Sequence, residues 1–278
     1  MSLSGDGGDE LLGGYNRYYW ASLIWRKVGW VPRPFRAALA GVLSTVPHAA
    51  WDAVINGIGR LLPARFQYSE PGSKLRKLAE ILAVRAPEEI HWCLVSQWKH
   101  PVEIVPGSSE PMTVLTDAGR WANVEGLENH MMYRDLVTYL PDDILVKLDR
   151  ASMGVSLESR TPFLDHRVVE FAWRLPLSMK IRDGQSKWIL RQVLYRYVPR
   201  ELVERPKMGF GVPIGAWLRG PLRDWAEAYL DHSKLAREGF LNAVLIRQKW
   251  NEHLSGRRDW QQFLWSTLMF QAWRERWG

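Results

Sequence analysis

The chain has 278 residues, of which 46% are hydrophobic and 24% charged, with a formal net charge of +7. A length of this order buries about three quarters of the surface its unfolded chain exposes, so one large domain or two small ones are expected and bulk disorder is excluded. The positive charge suits an anionic ligand, nucleic acid or an acidic membrane, but Lys and Arg are scattered, which argues against a disordered nucleic-acid-binding arm.

Met1-Ser2-Leu3 runs straight into a dense motif, Ser4-Gly5-Asp6-Gly7-Gly8-Asp9-Glu10 followed by Leu11-Leu12-Gly13-Gly14-Tyr15. The first three residues read as a cloning addition, and the motif as the exit of a strand lying upstream. Gly5, Gly7 and Gly8 let backbone N–H groups approach an anion, whereas Asp6, Asp9 and Glu10 would repel a bare phosphate. The combination fits a nucleotide loop with Mg²⁺ between carboxylate and phosphate oxygens. It equally fits a calcium loop or an acidic turn, although EF-hand spacing, a Walker A lysine and the GxGxxG fingerprint are all absent.

Further on, Ala37 to Trp51 is the longest uncharged stretch, shorter than the ~20 apolar residues of a membrane span, and predicts a core helix pair. With nothing that reads as a secretory signal, the cytoplasm is the expected location. Cys93, the single cysteine, excludes an intramolecular disulfide and a CxxC site and reads as a small buried hydrophobe in a helix over 88–98. Of the sixteen Trp, most are expected in the core and some along a cleft or interface. The seven His form no HExxH pattern, so nothing in the sequence supports a zinc site.

The Pro- and Gly-rich zone from Pro101 to Gly119 predicts a loop that divides the chain. Pro141-Asp142-Asp143 predicts a helix start, with Ile144 and Leu148 on one face. Glu158-Ser159-Arg160-Thr161-Pro162 reads as structural, with an ion pair between Glu158 and Arg160 and an extended Thr161 before proline. Asp165 predicts an N-cap for a helix carrying Val168, Val169, Ala172 and Leu175, which Pro176 ends. Ser178 to Arg182 is the best strand signal.

The turn Asp183-Gly184 precedes a helical pattern of Ile189, Leu190, Val193, Leu194 and Tyr197. Lys187 is expected in its first turn, where a cation opposes the helix dipole, with Arg191 one turn on along the same face. The pair reads either as a solvated basic patch or as cations directed at phosphate or developing negative charge. Arg205 to Pro213, with Lys207, suggests an ordered loop at a ligand site.

Together, SGDGGDELLGGYNRY (Ser4 to Tyr18), LDRASMGVSLESRTPFLDHR (Leu148 to Arg167), DGQSKWILR (Asp183 to Arg191) and RPKMGFGVP (Arg205 to Pro213) resemble the synthetase domain of glutamine-hydrolysing asparagine synthetases, with β-lactam synthetases as relatives. The four stand in family order across about three quarters of the chain. The resemblance implies an enzyme that adenylates a small carboxylate with ATP and Mg²⁺, releases pyrophosphate and lets glutamine-derived ammonia attack, aspartate being the default substrate. Ser4 and Gly5 would contact ATP, with Glu10, Arg191 and Lys207 as further nucleotide contacts, and Asp9 would hold Mg²⁺. Asp6 stands where the family has an acidic residue near the reacting centre, often Glu, and Lys187 matches the catalytic lysine.

The family's SGGxDS-type pyrophosphate loop and its glutaminase domain do not occur in these residues, and Cys93 is not a terminal nucleophile. The resemblance therefore implies a mainly α-helical C-terminal portion of an α/β, adenine-nucleotide-hydrolase-like domain (residues 1–278) whose upstream parallel sheet is missing. Such a piece would be inactive by itself, would partner a glutaminase domain in the full-length protein, and could self-associate through the uncovered face. The competing reading is a non-catalytic basic helical module for nucleic acid or an anionic membrane, marked by steeply salt-dependent binding. The family resemblance predicts no nucleic-acid partner.

Overall fold

A computed structural model describes residues 1–45, 51, 71–204 and 211–278. It is mainly helical, and among the described residues the strands form two sheets of two strands each. The chain makes two compact units that interleave along the sequence. One comprises Met1–Pro32, Val84–Leu94 and Met112–Lys207, the other Arg33–Ala83, Val95–Pro111 and Met208–Gly278. The loop expected to divide the chain is thus one of five crossings, at Pro111/Met112. It also contains a short helix, Pro101–Ile104, which Pro101 opens.

In the first unit Ser2–Leu3 pairs in parallel with Ser159–Arg160, in the register Ser2 to Ser159 and Leu3 to Arg160. Ser2 and Leu3, read from sequence as an addition, therefore belong to the fold. Arg160 and Glu158 form the expected ion pair, 2.5 Å apart and exposed. Thr161 before Pro162 lies outside the helical region at φ −116° and ψ 84°. Asp165 caps the helix His166–Arg174 by accepting from the Arg167 N–H at 2.9 Å, and the chain leaves that helix at Leu175, before Pro176. Its apolar face packs Val169, Ala172 and Leu175 against Leu11 and Leu12, whereas Val168 is exposed. Pro141 opens a π-helical turn, Leu140–Leu145, that runs on into the helix Val146–Met153.

The strand expected over 178–182 is only half present. Pro176, with its fixed φ, starts one helical turn, Leu177–Lys180, so that only Ile181–Arg182 remain extended. They pair antiparallel with Gln185–Ser186. The connecting residues Asp183 and Gly184 both have positive φ, 51° and 77°, as a two-residue hairpin turn of the Asp-Gly kind requires.

The second unit is built on the helices Ile214–Arg219, Arg223–Tyr229, His232–Glu238, Ala243–Leu254 and Gln261–Trp277. Their core is Leu218, Ala226, Leu230, Leu235, Ile246, Trp250, Leu264 and Leu268. Asp231 and Asn242 cap two of these helices through side-chain oxygens. The helix Arg33–Thr45 covers the first part of the stretch from Ala37 to Trp51 in which a helix pair was expected, residues 46–50 lying outside the described residues. It packs instead on Pro71–Ala83, burying Ala40, Ala79 and Leu82, while Phe35, Leu39 and Val42 stay exposed.

Cys93 is buried, as expected for a small hydrophobe. The Trp expectation holds in part: Trp250 and Trp260 are buried, Trp98, Trp173 and Trp225 pack partly buried against the cores, and Trp20, Trp30, Trp217, Trp273 and Trp277 are exposed. An indole is large, and thin helical layers seldom enclose one completely. Among the described residues no helix is long and apolar enough to cross a membrane.

Candidate active site

Three of the four chemical segments meet in the first unit. The Ser4 N–H donates to the Arg160 carbonyl at 2.8 Å, so the glycine-rich loop leaves the parallel strand pair beside the Glu158–Asp165 segment. Leu11 and Leu12 pack on Phe163 and on Ile189 and Leu190, which draws in the segment carrying Lys187. Of the fourth segment, Lys207 and the rest of 205–210 lie outside the described residues.

Lys187 is the N-cap of the helix Trp188–Leu194, one position before the first turn in which it was expected. Its backbone is left-handed, φ 54° and ψ 37°, a conformation that costs a residue with a Cβ about 1–2 kcal/mol. Two contacts to the first motif hold it there. Its N–H donates to the Leu12 carbonyl at 3.1 Å, and its Nζ lies 2.9 Å from Asp9 Oδ2. Asp9 thus answers the charge of the lysine within the protein. Both side chains are partly exposed, so the pair adds less than about 1 kcal/mol to stability.

Gly14 makes the approach possible. Its N–H donates to the Asp9 carbonyl at 2.8 Å. A Cβ at Gly14 would stand 1.8 Å from Asp9 Oδ1 and 2.3 Å from Lys187 Cε, so any other residue here would displace both side chains from this contact.

The remaining candidates divide between the site and the fold. Ser4 Oγ donates to Asp6 Oδ2, which fixes the two side chains to each other at the mouth of the loop. Gly5 borders open space. Arg191 turns back along its helix and donates from Nε to the Ser186 carbonyl at 3.0 Å, bracing the hairpin behind Lys187. Glu10 is drawn inward: it is buried and accepts from the Tyr15 hydroxyl at 2.8 Å. Burial pushes the Glu10 carboxyl above its usual range, against the pull of that hydrogen bond.

Behind the loop lies a buried polar network with no local signature in the sequence. Asp135, on the helix Leu127–Val137, is completely buried. Its carboxylate accepts from Arg17 Nε and Nη2 at 3.0 and 2.7 Å, from the Tyr18 hydroxyl at 2.5 Å, and from His91 Nε2 at 2.8 Å. The Arg17 guanidinium also lies over the Tyr15 ring, 4.3 Å from its centroid. Through Tyr15 and Glu10 the network holds the helix Gly8–Leu11, and with it Asp9.

Burial pushes the Asp135 carboxyl up, but the hydrogen bond from His91 and the charge of Arg17 outweigh it and leave the group below its usual range. Burial holds His91 below the usual imidazole range despite the neighbouring carboxylate. The imidazole is thus neutral and donates from Nε2, and its Nδ1 has no hydrogen-bond partner among the described residues.

A depressed folded value means that the unfolded chain takes up the proton first as pH falls. Stability from His91 is therefore present above about pH 6.5 and lost below it. Asp135 has the same sign lower down, its contribution being present above about pH 4. We expect the thermal midpoint to fall between pH 7 and pH 5. His91→Gln, which keeps an N–H donor for Asp135, should flatten part of that fall, with His130, also held low by burial, supplying another part. An unchanged slope in the variant would show that the titration lies elsewhere.

The donor set can be tested against Mg²⁺ and ATP. Among the described residues no three His, Cys, Asp or Glu side chains converge on one point. An all-protein cage is therefore not built here. Mg²⁺, however, commonly takes only one or two carboxylates and fills its octahedron with phosphate and water oxygens. Asp9, partly exposed in the first turn of the helix that follows Gly5, where the backbone borders open space, fits that arrangement.

The family model for asparagine synthase matches residues 1–275, and the chain belongs to that family. A Mycobacterium tuberculosis protein provisionally named asparagine synthetase (glutamine-hydrolyzing) is 33% identical over 273 residues, covering 98% of this chain and 38% of its own length. Asparagine synthetase (glutamine-hydrolyzing) 1 of Bacillus subtilis is 27% identical over 273 residues, 98% of this chain and 40% of its own. The human asparagine synthetase (glutamine-hydrolyzing) is 30% identical over 165 residues, 52% of this chain and 28% of its own. The chain thus spans about two fifths of the length of the bacterial relatives it matches. No solved structure matches it.

Proposed function

We propose that the protein containing these residues activates a small carboxylate with ATP as an adenylate, releases pyrophosphate, and passes the acyl group to ammonia drawn from glutamine, converting aspartate to asparagine. The observation that carries this reading is the contact between Asp9 and Lys187, two residues far apart in sequence and brought together from two family motifs. In this reading Ser4, Gly5 and the backbone of the loop receive the nucleotide, and Asp6 lies beside the reacting carboxylate. Asp9 supplies the carboxylate that would hold Mg²⁺, which when bound neutralises phosphate charge. Lys187 Nζ is a compact positive charge anchored by its own backbone, placed to stabilise negative charge that grows during activation. Arg191 and Glu10 serve by positioning, one through the hairpin and the other through Tyr15.

The relatives' names support glutamine as the nitrogen source, which makes a glutaminase domain of the full-length protein the partner of this one. The 278 residues carry about one wall of the nucleotide site and by themselves are expected to be inactive, because one wall cannot align the reacting groups. The cytoplasm, where ATP is available, is the expected place of action.

Asp9→Asn in the intact protein tests the metal assignment. Activity at limiting Mg²⁺ should fall at least tenfold, while stability changes by less than about 1 kcal/mol, since the side chain is partly exposed. A Mg²⁺ titration superimposable on that of the unaltered protein would remove Asp9 from the metal site.

A further inference from the structure

The second unit contains a cleft of about 510 Å³ that the reaction above does not use. Its wall is aromatic and rigid. Phe263 meets Trp98 and Trp260 edge to face, with ring centroids 5.0 and 4.8 Å away. Trp260 is buried, and its indole N–H donates to Glu252 at 2.7 Å; Trp98 donates to the Ser266 hydroxyl at 3.2 Å. Both indoles are therefore held in place by hydrogen bonds as well as by packing.

Lys249 stands among these rings. Its Nζ lies 3.5 Å from the Trp260 centroid, 5.5 Å from that of Trp98 and 5.9 Å from that of Phe263. The rings answer its charge in part, but its three N–H donors find no hydrogen-bond acceptor among the described residues. Partial burial holds its ammonium below the usual lysine range, with the Arg258 charge adding to the effect. Four Lys and Arg side chains and three Glu line the cleft, a formal balance of +1 (4 − 3). Two of the carboxylates are already engaged, Glu80 by Lys99 at 3.1 Å and Glu252 by Trp260 and Gln248.

We propose that this cleft is a binding site for a small planar aromatic carboxylate, whose ring lies beside Trp98 and whose carboxylate accepts from Lys249. The Trp260 ring is already covered by Lys249 and by the Arg258 guanidinium, 4.1 Å from its centroid, and serves as the wall that seats the lysine. A single negative charge balances the lining, and a volume of this order takes a body of one or two rings. A phosphate ester carries a second charge that the three Glu side chains would oppose. The site lies wholly within one unit and shares no residue with the Asp9–Lys187 site.

The test is calorimetric titration of the intact protein with 2-naphthoate and with its neutral counterpart 2-naphthamide. Naphthoate should bind at least tenfold more tightly, the usual effect of a charge-assisted hydrogen bond in a half-buried site. Lys249→Met should remove that preference, and Lys187→Met should leave it unchanged. If Lys249→Met fails to fold, Arg257→Met, at an exposed position of the rim, should weaken naphthoate severalfold and leave naphthamide alone. Equal binding of the two compounds would overturn the proposal. So would naphthoate binding that neither cleft variant alters or that Lys187→Met abolishes. In that case the rings serve only to seat the lysine.

Discussion

Lys187→Met in the intact protein is expected to lower the synthetase rate by about a hundredfold to a thousandfold while leaving glutamine hydrolysis measurable. A preorganised donor aimed at charge that develops in the transition state is typically worth ~3–4 kcal/mol. The structure provides the preorganisation. A left-handed N-cap position, an N–H bonded to Leu12 and a side chain laid across Gly14 together leave the ammonium little freedom. Stability should hardly change, because the lost ion pair is partly exposed. Lys187→Arg should rescue poorly, since a planar fork does not fit where a compact ammonium passes over a glycine. Gly14→Ala should reproduce the rate loss without touching either charge, because its methyl would occupy the space of Asp9 Oδ1 and Lys187 Cε. Steady-state assays of synthesis and glutaminase activity on the three variants, with thermal midpoints, decide the matter. Wild-type synthesis by the Met variant would make the lysine a structural residue.

Asp135→Ala is expected to cost about 3–5 kcal/mol of stability, a large share of the roughly 5–15 kcal/mol that holds a domain folded. The carboxylate is fully buried, and removing it strands the Arg17 guanidinium, the Tyr18 hydroxyl and the His91 N–H at once. Asp135→Asn should cost less, because one oxygen can still accept. Denaturant midpoints measured on the intact protein test this. A loss below about 1 kcal/mol for the alanine variant would mean that the three donors find other partners, and that the network does not hold the helix carrying Asp9.

What could be read from the sequence divides by the range of the forces involved. The Asp183-Gly184 turn, the Asp165 cap, the exit before Pro176 and the start at Pro141 are local choices of backbone angle, and their residue types declare them. Lys187 and Asp9 could be named from motifs but not joined. Their contact depends on the hairpin, the N-cap conformation and the small size of Gly14, which no spacing rule encodes. Glu10 reads as a nucleotide contact from a motif dense in carboxylates, whereas its burial and its bond to Tyr15 depend on packing that the motif does not encode.

Asp135 was not legible at all. Its partners come from two other helices, and a buried carboxylate looks like any other in a polar stretch until those helices pack on its own. The interleaving of the two units was hidden for the same reason: the crossings at Ala83 and Leu94 carry no loop-like composition strong enough to mark them.

The most direct test of the proposed chemistry is the fate of ATP in the intact protein. With aspartate present and glutamine absent, radiolabelled pyrophosphate should exchange into ATP, the exchange should require both aspartate and Mg²⁺, and Lys187→Met should abolish it. Complete synthesis should release AMP and pyrophosphate in step with asparagine. Formation of ADP and phosphate, or exchange that proceeds equally well without any carboxylate, would contradict adenylation and with it the roles given to Asp9 and Lys187.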